Sequence, residues 1–299
     1  MAAVSRAILI VNPNASGVTP DLTLAVEEAL QIAGEVQTIL TERPGHAAEI
    51  AEAVGRYADR IYVFSGDGGY NEVVNGVEGD LPIGFIPGGS TSVFPRALGI
   101  PRDPVAAARS LAGASAERRI SLGRVNGRRF TFSAGFGIDA ELVRRVDALG
   151  RARGKRASDL AFARTLARIF AEQRARFDPV MEVEGLGRVA FALVANGSPY
   201  SYVGRIPLRV APKAEFELGL DLVAPRDLKA RRLPQVAAWV FAGKGQQRSP
   251  HVLYVHDADE LVVRADRPMP LQVDGEDLGD VEEAHFEAER SALRVVVPE

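Results

Sequence analysis

A short apolar segment followed directly by a glycine-rich turn constrains the fold of this chain most. Ile61–Phe64 is rich in β-branched and aromatic residues, which is typical of a buried strand. The strand breaks at Ser65-Gly66-Asp67-Gly68-Gly69, and a helical pattern follows. Glycines at a strand's carboxyl end let the backbone approach a ligand, and the next helix points its first N–H groups there. A carboxylate such as Asp67 repels phosphate unless a divalent cation lies between them. The segment therefore predicts either a phosphate-and-metal site or an ordinary strand-to-helix turn.

Two familiar phosphate-binding motifs are absent from the sequence. A Rossmann fingerprint needs a third glycine three positions after the second, and Asn71 occupies that position. A P-loop needs Gly-Lys followed by Ser or Thr, and neither Gly-Lys pair of the chain, at 154–155 or 243–244, meets this condition. A nucleotide, if one binds, is expected to bind by another route.

Strands and helices alternate through the first 116 residues, and the strands end in loops rich in Gly, Asn, Pro or Ser. Thr19-Pro20 and Asp103-Pro104 mark helix starts, because a capping side chain precedes a proline in the first turn. This alternation predicts an α/β fold with an open, mostly parallel N-terminal sheet, whose ligands lie outside the carboxyl ends of the strands. The predicted strands are Ala7–Val11, Val36–Leu40, Ile61–Phe64 and Ile83–Ile86.

The pattern changes after residue 113. Asn126-Gly127 lies between two apolar runs and predicts a β-hairpin. Short strands without alternating helices dominate the rest, so we predict a C-terminal antiparallel β-sandwich-like domain at 117–299, after an N-terminal domain at 1–116. The predicted strands are Arg118–Val125, Arg128–Ala134, Val180–Glu184, Val189–Ala195, Leu220–Ala224, Val252–His256, Leu261–Arg264, Pro270–Val273 and Leu293–Val297, and the predicted helices are Ala140–Leu149 and roughly Ser158–Arg176.

Composition excludes several classes of protein. The 299 residues are 46% hydrophobic and 25% charged with a net charge of -3, which is typical of a globular protein and gives no general case for nucleic-acid binding. No window approaches the roughly 20 apolar residues of a membrane span. The chain has no cysteine, so disulfides and thiolate zinc sites are excluded, and a cytoplasmic location is expected.

Basic residues crowd the middle of the chain, although the chain as a whole is slightly acidic. Such a run is either a solvated helix face or a surface that contacts anionic lipid, at about 1 kcal/mol per well-placed basic residue. The arginine-rich segment comprises Arg144, Arg145, Arg151, Arg153, Lys155, Arg156, Arg164, Arg168, Arg174 and Arg176.

A series of short motifs, each weak alone, occurs in a specific order along nearly the whole chain. They are Asn12-Pro13-x-x-Ser16-Gly17, Thr41 with Gly45-His46-Ala47, Gly66-Asp67-Gly68 with Asn71-Glu72-Val73, Pro87-x-Gly89-Ser90, Phe94 with Arg96, Gly135-Phe136-Gly137-x-Asp139, Gly154-Lys155, Asn196-Gly197, Ala211-Pro212 and Asp274-Gly275-Glu276. In this order the chain resembles the diacylglycerol kinase catalytic family, which includes bacterial lipid kinases and sphingosine-kinase-like enzymes and is distantly similar to NAD kinases.

The resemblance implies a two-domain kinase with ATP and Mg²⁺ in an interdomain cleft and a lipid hydroxyl as acceptor. Phosphoryl transfer depends on positioning and charge neutralisation, so the site needs backbone donors, a magnesium-linked carboxylate and a base near the hydroxyl. Asp67 matches the magnesium-linked carboxylate, and Glu276 matches the family's proposed general base. The implied nucleotide-binding residues are Asn12, Ser16, Gly17, Thr41, Gly66, Asp67, Gly68, Gly69, Asn71, Glu72, Gly89, Ser90, Thr91 and Lys155.

Several of these residues have a simpler interpretation. Asp274-Gly275 is also a standard hairpin turn, which would leave Glu276 exposed beside it. Lys155 either reaches a phosphate or belongs only to the arginine-rich segment. His46 matches the family's Gly-His pair, but we expect it to cap or pack rather than to act as an acid or base.

The sequence departs from the family pattern at the predicted metal sites. The family usually has aspartate at Val93 and at Ser121, so two carboxylates expected around Asp67 are replaced. A second, structural metal site is not expected, because Leu218 replaces the first aspartate of the segment that ends at Asp221.

Three functions are compatible with these motifs. The leading hypothesis is an ATP-dependent lipid kinase that phosphorylates the hydroxyl of diacylglycerol or a similar lipid, working from the cytoplasm as a peripheral protein on the inner membrane face. The replaced carboxylates motivate an alternative, a nucleotide-binding regulatory protein without catalysis. A soluble-substrate kinase of the NAD type is a third, which the Asp-Gly-Glu segment and the arginine-rich segment argue against. An unpaired strand at a sheet edge would offer a homodimer surface.

Overall fold

The computed structural model describes residues 6–114, 116–153, 159–174 and 176–298. The chain divides into two compact units: unit 1 comprises Met1–Leu122 with Arg290–Glu299, and unit 2 comprises Gly123–Glu289. The sequence placed a single boundary near Ala116. The observed division lies a few residues later, and the end of the chain returns to unit 1 instead of staying with the second domain.

Unit 1 is a parallel β-sheet with its helices. Its strands are β1 (Arg6–Val11), β2 (Glu35–Leu40), β3 (Arg60–Ser65) and β4 (Ile83–Pro87), and its helices are α1 (Pro20–Leu30), α2 (His46–Val54), α3 (Asp67–Gly76), α4 (Val93–Ala97) and α5 (Pro104–Ala112). The strand order is β2-β1-β3-β4, and every pair is parallel. The strands β1, β3 and β4 are almost wholly buried, as expected for parallel strands that are covered on both faces.

The two predicted capping residues start the helices of unit 1 that follow them. Thr19 Oγ1 accepts the N–H of Leu22 at 3.2 Å at the start of α1. Asp103 Oδ1 accepts the N–H of Ala106 at 2.8 Å at the start of α5. In both cases the side chain satisfies a backbone donor that has no partner inside the helix.

Unit 2 is dominated by antiparallel strands. Its elements are β5 (Glu117–Val125, which begins in unit 1), β6 (Arg128–Phe130), β7 (Ser133–Phe136), α6 (Ile138–Arg153), α7 (Asp159–Glu172), β8 (Arg176–Phe177), β9 (Met181–Val183), β10 (Gly187–Val189), β11 (Ala192–Ala195), β12 (Ser201–Val203), β13 (Ile206–Leu208), β14 (Leu220–Pro225), β15 (Leu228–Lys229), α8 (Leu233–Ala242), β16 (Val252–Ala258), β17 (Glu260–Val273) and β18 (Glu276–Val296, which ends in unit 1). Its main strand order is β16-β14-β11-β7-β17-β18. The core of this unit is built from buried Val, Leu, Phe and Ala side chains of these strands.

The hairpin predicted at Asn126-Gly127 is present, with Val125 paired to Arg128. The second predicted strand of that hairpin, Arg128–Ala134, is interrupted after Phe130. The interruption has a physical reason, because the N–H groups of the next residues bond to the carboxylate of Asp274 instead of to a neighbouring strand.

The C-terminal hairpin is longer than the sequence predicted. Leu261–Arg264 and Pro270–Val273, predicted as separate strands, are parts of β17, and β18 runs for 21 residues where only Leu293–Val297 was predicted. The first part of β18 is rich in Asp and Glu, which are depleted in strands, so propensity gave no signal. The sequence also missed α8, whose composition is apolar on all sides and therefore lacks a helical period.

The end of β18 completes the sheet of unit 1. Val295 lies beside Ile83 of β4 in a parallel pairing, so the last strand of the chain covers the edge of the first sheet. No helix within the described residues is long and apolar enough to cross a membrane.

Candidate active site

The structure brings the predicted glycine-rich loops together at the carboxyl ends of adjacent strands. The loop after β1 joins the loop after β4 through a bond from Gly17 N–H to Gly88 O at 2.8 Å. Gly88 N–H in turn donates to the carbonyl of Ser65, the last residue of β3, at 2.7 Å. Thr41, which follows β2, is buried and donates its N–H to Val11 O at 2.8 Å. Four strand ends of unit 1 therefore form one rim, as the α/β pattern predicted.

The close contact between these loops requires a glycine. A Cβ at Gly17 would lie 3.0 Å from the carbonyl oxygen of Gly88. Any side chain there would push the loop after β1 away from the loop after β4, because both contacts are backbone. The glycine at position 17 thus allows the close approach of the two loops.

Helix α3 begins at this rim without a side-chain cap. Its N-cap is Gly66, which has no side chain to accept the first N–H groups. An uncapped helix N-terminus presents backbone donors and the positive end of the helix dipole, which suit an anion. The start of α3 beside the converging loops therefore has the features that suit an anion such as phosphate.

Asp67, the first residue of α3, is buried and bonded to backbone. Its Oδ2 accepts the N–H of Val93 and its Oδ1 accepts the N–H of Phe94, each at 3.1 Å. The carboxylate thereby caps the N-terminus of α4, where Ser92 has no capping bond of its own and a φ of 45°. The sequence predicted a magnesium ligand at Asp67 and did not predict this capping.

Tyr70 is a buried residue of the site that no sequence motif indicated. Its hydroxyl lies 2.5 Å from Ser65 O and 2.8 Å from Ile86 O, so it links the ends of β3 and β4. Burial, followed by the nearby charge of Asp67, raises the pKa of the Tyr70 hydroxyl well above its ordinary value. The hydroxyl therefore stays protonated and donates, which holds the rim in place.

Two other predicted nucleotide-binding residues have structural partners. Glu72 Oε2 accepts the N–H of Ala47 at 3.2 Å and so caps the start of α2. Asn71 is fully buried, and its carbonyl accepts a bond from Asn75 Nδ2 at 2.8 Å. Glu72 thus joins α3 to α2, whereas the bond between Asn71 and Asn75 lies within α3.

The remaining predicted residues of the nucleotide site lie in the loops of the same rim. Asn12 Oδ1 accepts the N–H of Asn14 at 2.9 Å, which closes the turn after β1. Gly89 N–H donates to Ser92 Oγ at 3.1 Å. Lys155 lies outside the described residues. Ser16, Ser90 and Thr91 also lie in these loops, and Gly68 and Gly69 lie in the first turn of α3.

In unit 2, the Asp-Gly-Glu segment forms the tight turn between β17 and β18, as the hairpin interpretation predicted. Asp274 is buried and accepts bonds from Thr131 N–H at 2.6 Å, Thr131 Oγ1 at 2.9 Å and Phe132 N–H at 3.0 Å. Glu276 follows with a partly exposed side chain, 3.4 Å from Arg128 Nη2. The anchored turn presents Glu276 at a fixed place on unit 2.

Another carboxylate of unit 2, the partly buried Asp139, has two side-chain donors. Tyr200 Oη donates to its Oδ1 and Gln272 Nε2 donates to its Oδ2, each at 2.7 Å. Burial raises the pKa of Asp139 above its ordinary value of 3.8, and the two hydrogen bonds oppose this effect. Asp139 thus ties the start of α6 to β17.

Asp221 ends the segment in which no structural metal is expected from the sequence. Its carboxylate is fully buried and accepts Tyr254 Oη at 2.6 Å and Asp257 N–H at 3.1 Å, with His256 Nδ1 at 2.7 Å. Burial, followed by the bond to Asp221, raises the pKa of the Tyr254 hydroxyl. Protein donors therefore surround Asp221, and across the described parts of the chain no three His, Cys, Asp or Glu side chains are grouped as a metal site.

An apolar cavity of about 90 Å³ lies in unit 2 between the sheet and α8. Leu193, Val223 and Val252 line it from the sheet, and Val236 and Trp239 line it from the helix. Polar groups are confined to a few side chains, among them Gln246, whose buried Oε1 has no hydrogen-bond partner within the described residues. The cavity suits an apolar group with a small number of polar atoms.

The segment that carries this site is similar to proteins of a known family. Residues 6–125 match the family model of the diacylglycerol kinase catalytic domain. The resemblance to that family is confirmed. The diacylglycerol kinase of Bacillus subtilis (strain 168) is 37% identical over 144 residues, which are 46% of this chain and 48% of that protein. That of Staphylococcus haemolyticus (strain JCSC1435) is 36% identical over 115 residues, which are 37% of this chain and 34% of that protein. The chain thus spans about half or less of the length of these relatives.

Solved structures confirm the predicted fold class over a longer part of the chain. The crystal structure of a diacylglycerol kinase from Bacillus anthracis str. Sterne matches with a TM-score of 0.73 and 19% identity, over 99% of this chain and 98% of that chain. An NAD kinase from Archaeoglobus fulgidus in complex with ATP matches more distantly, with a TM-score of 0.51 and 14% identity, over 98% and 94% of the two chains. At these identities the likeness concerns the fold alone.

Proposed function

We propose that this protein is an ATP-dependent kinase that phosphorylates a hydroxyl of diacylglycerol or a similar lipid. One observation carries the proposal. The loops after β1, β3 and β4 contact one another beside the uncapped N-terminus of α3, inside the segment that matches the diacylglycerol kinase catalytic domain. Phosphoryl transfer needs mainly oriented donors and charge neutralisation, and this rim supplies the donors.

The residues of the rim fit the phosphates of ATP better than they fit a preformed metal site. Backbone N–H groups at the start of α3 are suited to phosphate oxygens. Both carboxylate oxygens of Asp67 accept backbone N–H groups, and Val93 and Ser121 supply no further carboxylate. We therefore expect magnesium to enter with the nucleotide, and we assign no step to an ion held by a protein cluster.

Unit 2 supports a lipid as the acceptor. Its apolar cavity between the sheet and α8 is suited to part of an acyl chain. Glu276 is held by the turn that Asp274 anchors, and its carboxylate is the group that would take the proton of the acceptor hydroxyl.

The test supplies labelled ATP, magnesium and mixed micelles of diacylglycerol and phospholipid, and measures phosphatidic acid. Glu276→Gln is expected to lower kcat by roughly 10²–10⁴-fold, because an amide cannot accept the proton. Glu282→Gln, an exposed change on the same strand, is the matched control and should leave kcat unchanged. Absence of any phosphorylated lipid, from protein shown to bind ATP, would reject the proposal.

A regulatory protein that binds nucleotide without catalysis is the second candidate. The bonding of both Asp67 oxygens to backbone favours it, together with the carboxylates missing at Val93 and Ser121. It predicts nucleotide binding that depends little on magnesium and no phosphate transfer to lipid. The NAD-type alternative is tested in the same assay with NAD as the acceptor.

A further inference from the structure

Helix α8 is apolar in composition but contributes no buried residue to unit 2. Its ten residues, Leu-Pro-Gln-Val-Ala-Ala-Trp-Val-Phe-Ala, carry no charge, and Phe241 is 50% exposed. The β12–β13 hairpin has the same character, since Val203 is 46% exposed and Ile206 is 53% exposed. Exposed apolar side chains of this size mark a contact surface when they are grouped.

The helix and the hairpin are neighbours. Strand β13 contacts α8, and the N–H of Arg209 donates to the carbonyl of Val240 at 2.9 Å. Gln246 Nε2 donates to the carbonyls of Arg209 and Val210 at 2.8 and 2.9 Å, which fastens the chain after the hairpin to the chain after the helix. We call α8 and the β12–β13 hairpin together the α8 surface.

The charged residues within the two segments that form and flank the α8 surface are all basic. Residues 199–214 and 228–250 contain no Asp or Glu, whereas the whole chain has a net charge of -3. Lys229 and Arg232 pair with Asp227. The other basic residues of these two segments form no ion pair within the described part of the chain. They are Arg205, Arg209, Lys213, Arg231, Lys244 and Arg248.

The arginine-rich segment is different, because its described charges are mostly neutralised within the protein. Arg144 pairs with Asp277 and Asp280, and Arg145 pairs with Glu141 and Glu172. Arg168 and Arg176 also have carboxylate partners. Among the residues whose side chains the structure describes, the arginine-rich segment therefore has fewer unpaired cations than the two segments around the α8 surface.

We propose that the α8 surface docks on an anionic lipid bilayer, with its apolar side chains in the interface and its basic residues on the lipid phosphates. A ten-residue helix is about 15 Å long, half the thickness of a bilayer core, so α8 would lie along the membrane and not across it. The choice of a lipid partner rests in part on the proposed function, but docking needs no ATP and no turnover.

Trp239 makes the proposal measurable in the unmodified protein, because it is the chain's one tryptophan and lies on α8. Vesicles of phosphatidylcholine mixed with phosphatidylglycerol should shift the Trp239 fluorescence to shorter wavelength, and the protein should sediment with them. Vesicles of phosphatidylcholine alone should give a much smaller shift and sediment much less protein. Replacing Phe241 and Ile206 by Ser should lower the partition coefficient by about tenfold or more. Replacing Arg205 and Lys244 by Gln should lower it by about 25-fold at low salt, at about fivefold per charge.

Matched controls in unit 1 separate docking from a general loss of charge or apolar surface. Ile32→Ser removes a side chain that is 77% exposed, and Arg56→Gln with Arg102→Gln removes two exposed cations. These variants should bind vesicles as the unmodified protein does. Equal weakening by the controls, no sedimentation with the anionic vesicles, or concentration-dependent self-association that Phe241→Ser abolishes would overturn the proposal.

The lipid kinase assay separates this inference from the proposed function. Vesicle binding that depends on the α8 surface, without phosphorylation of diacylglycerol, would reject the kinase and keep the docking surface. The opposite result is that the protein phosphorylates micellar diacylglycerol, and that Arg164→Gln and Arg174→Gln abolish vesicle binding whereas the α8 changes do not. This result would place docking on the arginine-rich segment and would overturn only the docking proposal.

Discussion

Buried and partly buried carboxylates of this protein hold backbone N–H groups that are distant in the sequence. Asp67 bonds to residues 26 and 27 positions away, Glu72 to one 25 positions away, and Asp274 to one 143 positions away. The glycine-rich turn indicated Asp67 as a member of a phosphate-and-metal site, whereas the resemblance to the diacylglycerol kinase family indicated Glu72 and the Asp274 turn. Their capping role was not predictable, since it depends on contacts that only the folded chain forms.

Asp67→Asn is expected to destabilise the protein. An amide offers one acceptor oxygen, so one of the N–H groups of Val93 and Phe94 would face the NH₂ group and lose its bond, at about 1–3 kcal/mol. Thermal unfolding followed by circular dichroism measures the effect. Asp103→Asn is the control, because its single capping bond can be made equally well by Asn. Equal losses of stability in the two variants would contradict the capping role of Asp67.

Asp139 is expected to give the stability a specific dependence on pH. Burial raises the pKa of Asp139 above 3.8, so the folded protein keeps a proton that the unfolded chain releases once the pH exceeds that value. The stabilisation by this group is therefore present at low pH and is lost as the pH rises from about 4 towards the raised pKa.

Asp139→Asn removes this titration, so the unmodified protein should lose stability relative to the variant as the pH rises through that interval. The difference in the free energy of unfolding, measured in urea at several pH values, isolates the group. Asp21→Asn, an exposed change in the first turn of α1, controls for the Asp-to-Asn exchange itself. A difference that does not vary with pH would exclude the effect.

At the scale of elements, the contact between β3 and α3 sets the geometry of the rim. A Cβ at Gly69 would lie 2.1 Å from Ser65 Oγ and 2.8 Å from Ser65 Cβ, so the helix approaches the end of the strand too closely for any side chain. The buried Ser65 Oγ has no hydrogen-bond partner within the described residues. The sequence predicted the strand, the turn and the helix from local patterns, but not the pairing of a serine with a glycine four positions later.

Gly69→Ala should destabilise the protein by about 1–3 kcal/mol through overpacking, although alanine normally favours a helix by about 1 kcal/mol over glycine. Combining it with Ser65→Gly removes both clashing atoms, so a double-mutant cycle should show a favourable coupling above about 0.5 kcal/mol. Gly113→Ala is the control, because its Cβ would lie 3.7 Å from Arg109 O, an ordinary contact. Strictly additive effects of the Ser65 and Gly69 changes would show that the two sites are independent.

At the scale of the whole molecule, local sequence patterns predicted the four parallel strands of unit 1. The strand that completes their sheet, the end of β18, comes from a distant part of the chain. The four strands of that sheet were predicted to within one residue at each end, because continuous apolar runs bounded by turns are a local signal. The return of β18 to pair Val295 with Ile83 joins positions 83 and 295, and no local pattern indicates which strand edge a terminal strand will cover. A single predicted boundary near Ala116 therefore leaves out the C-terminal segment that belongs to unit 1.

This incompleteness predicts how fragments will behave. Residues 1–122 alone should lack cooperative unfolding, because β4 would expose an edge that Val295 covers in the protein. Joining residues 290–298 to that fragment through a flexible Gly/Ser linker should restore a cooperative transition, since the linked strand binds its own edge at high effective concentration. The same fusion with Val295→Asp is the control, because it has the same length but places a charge at a fully buried position. Cooperative unfolding of residues 1–122 alone, measured by circular dichroism in urea, would show instead that the terminal strand is dispensable and that the N-terminal sheet folds from local interactions.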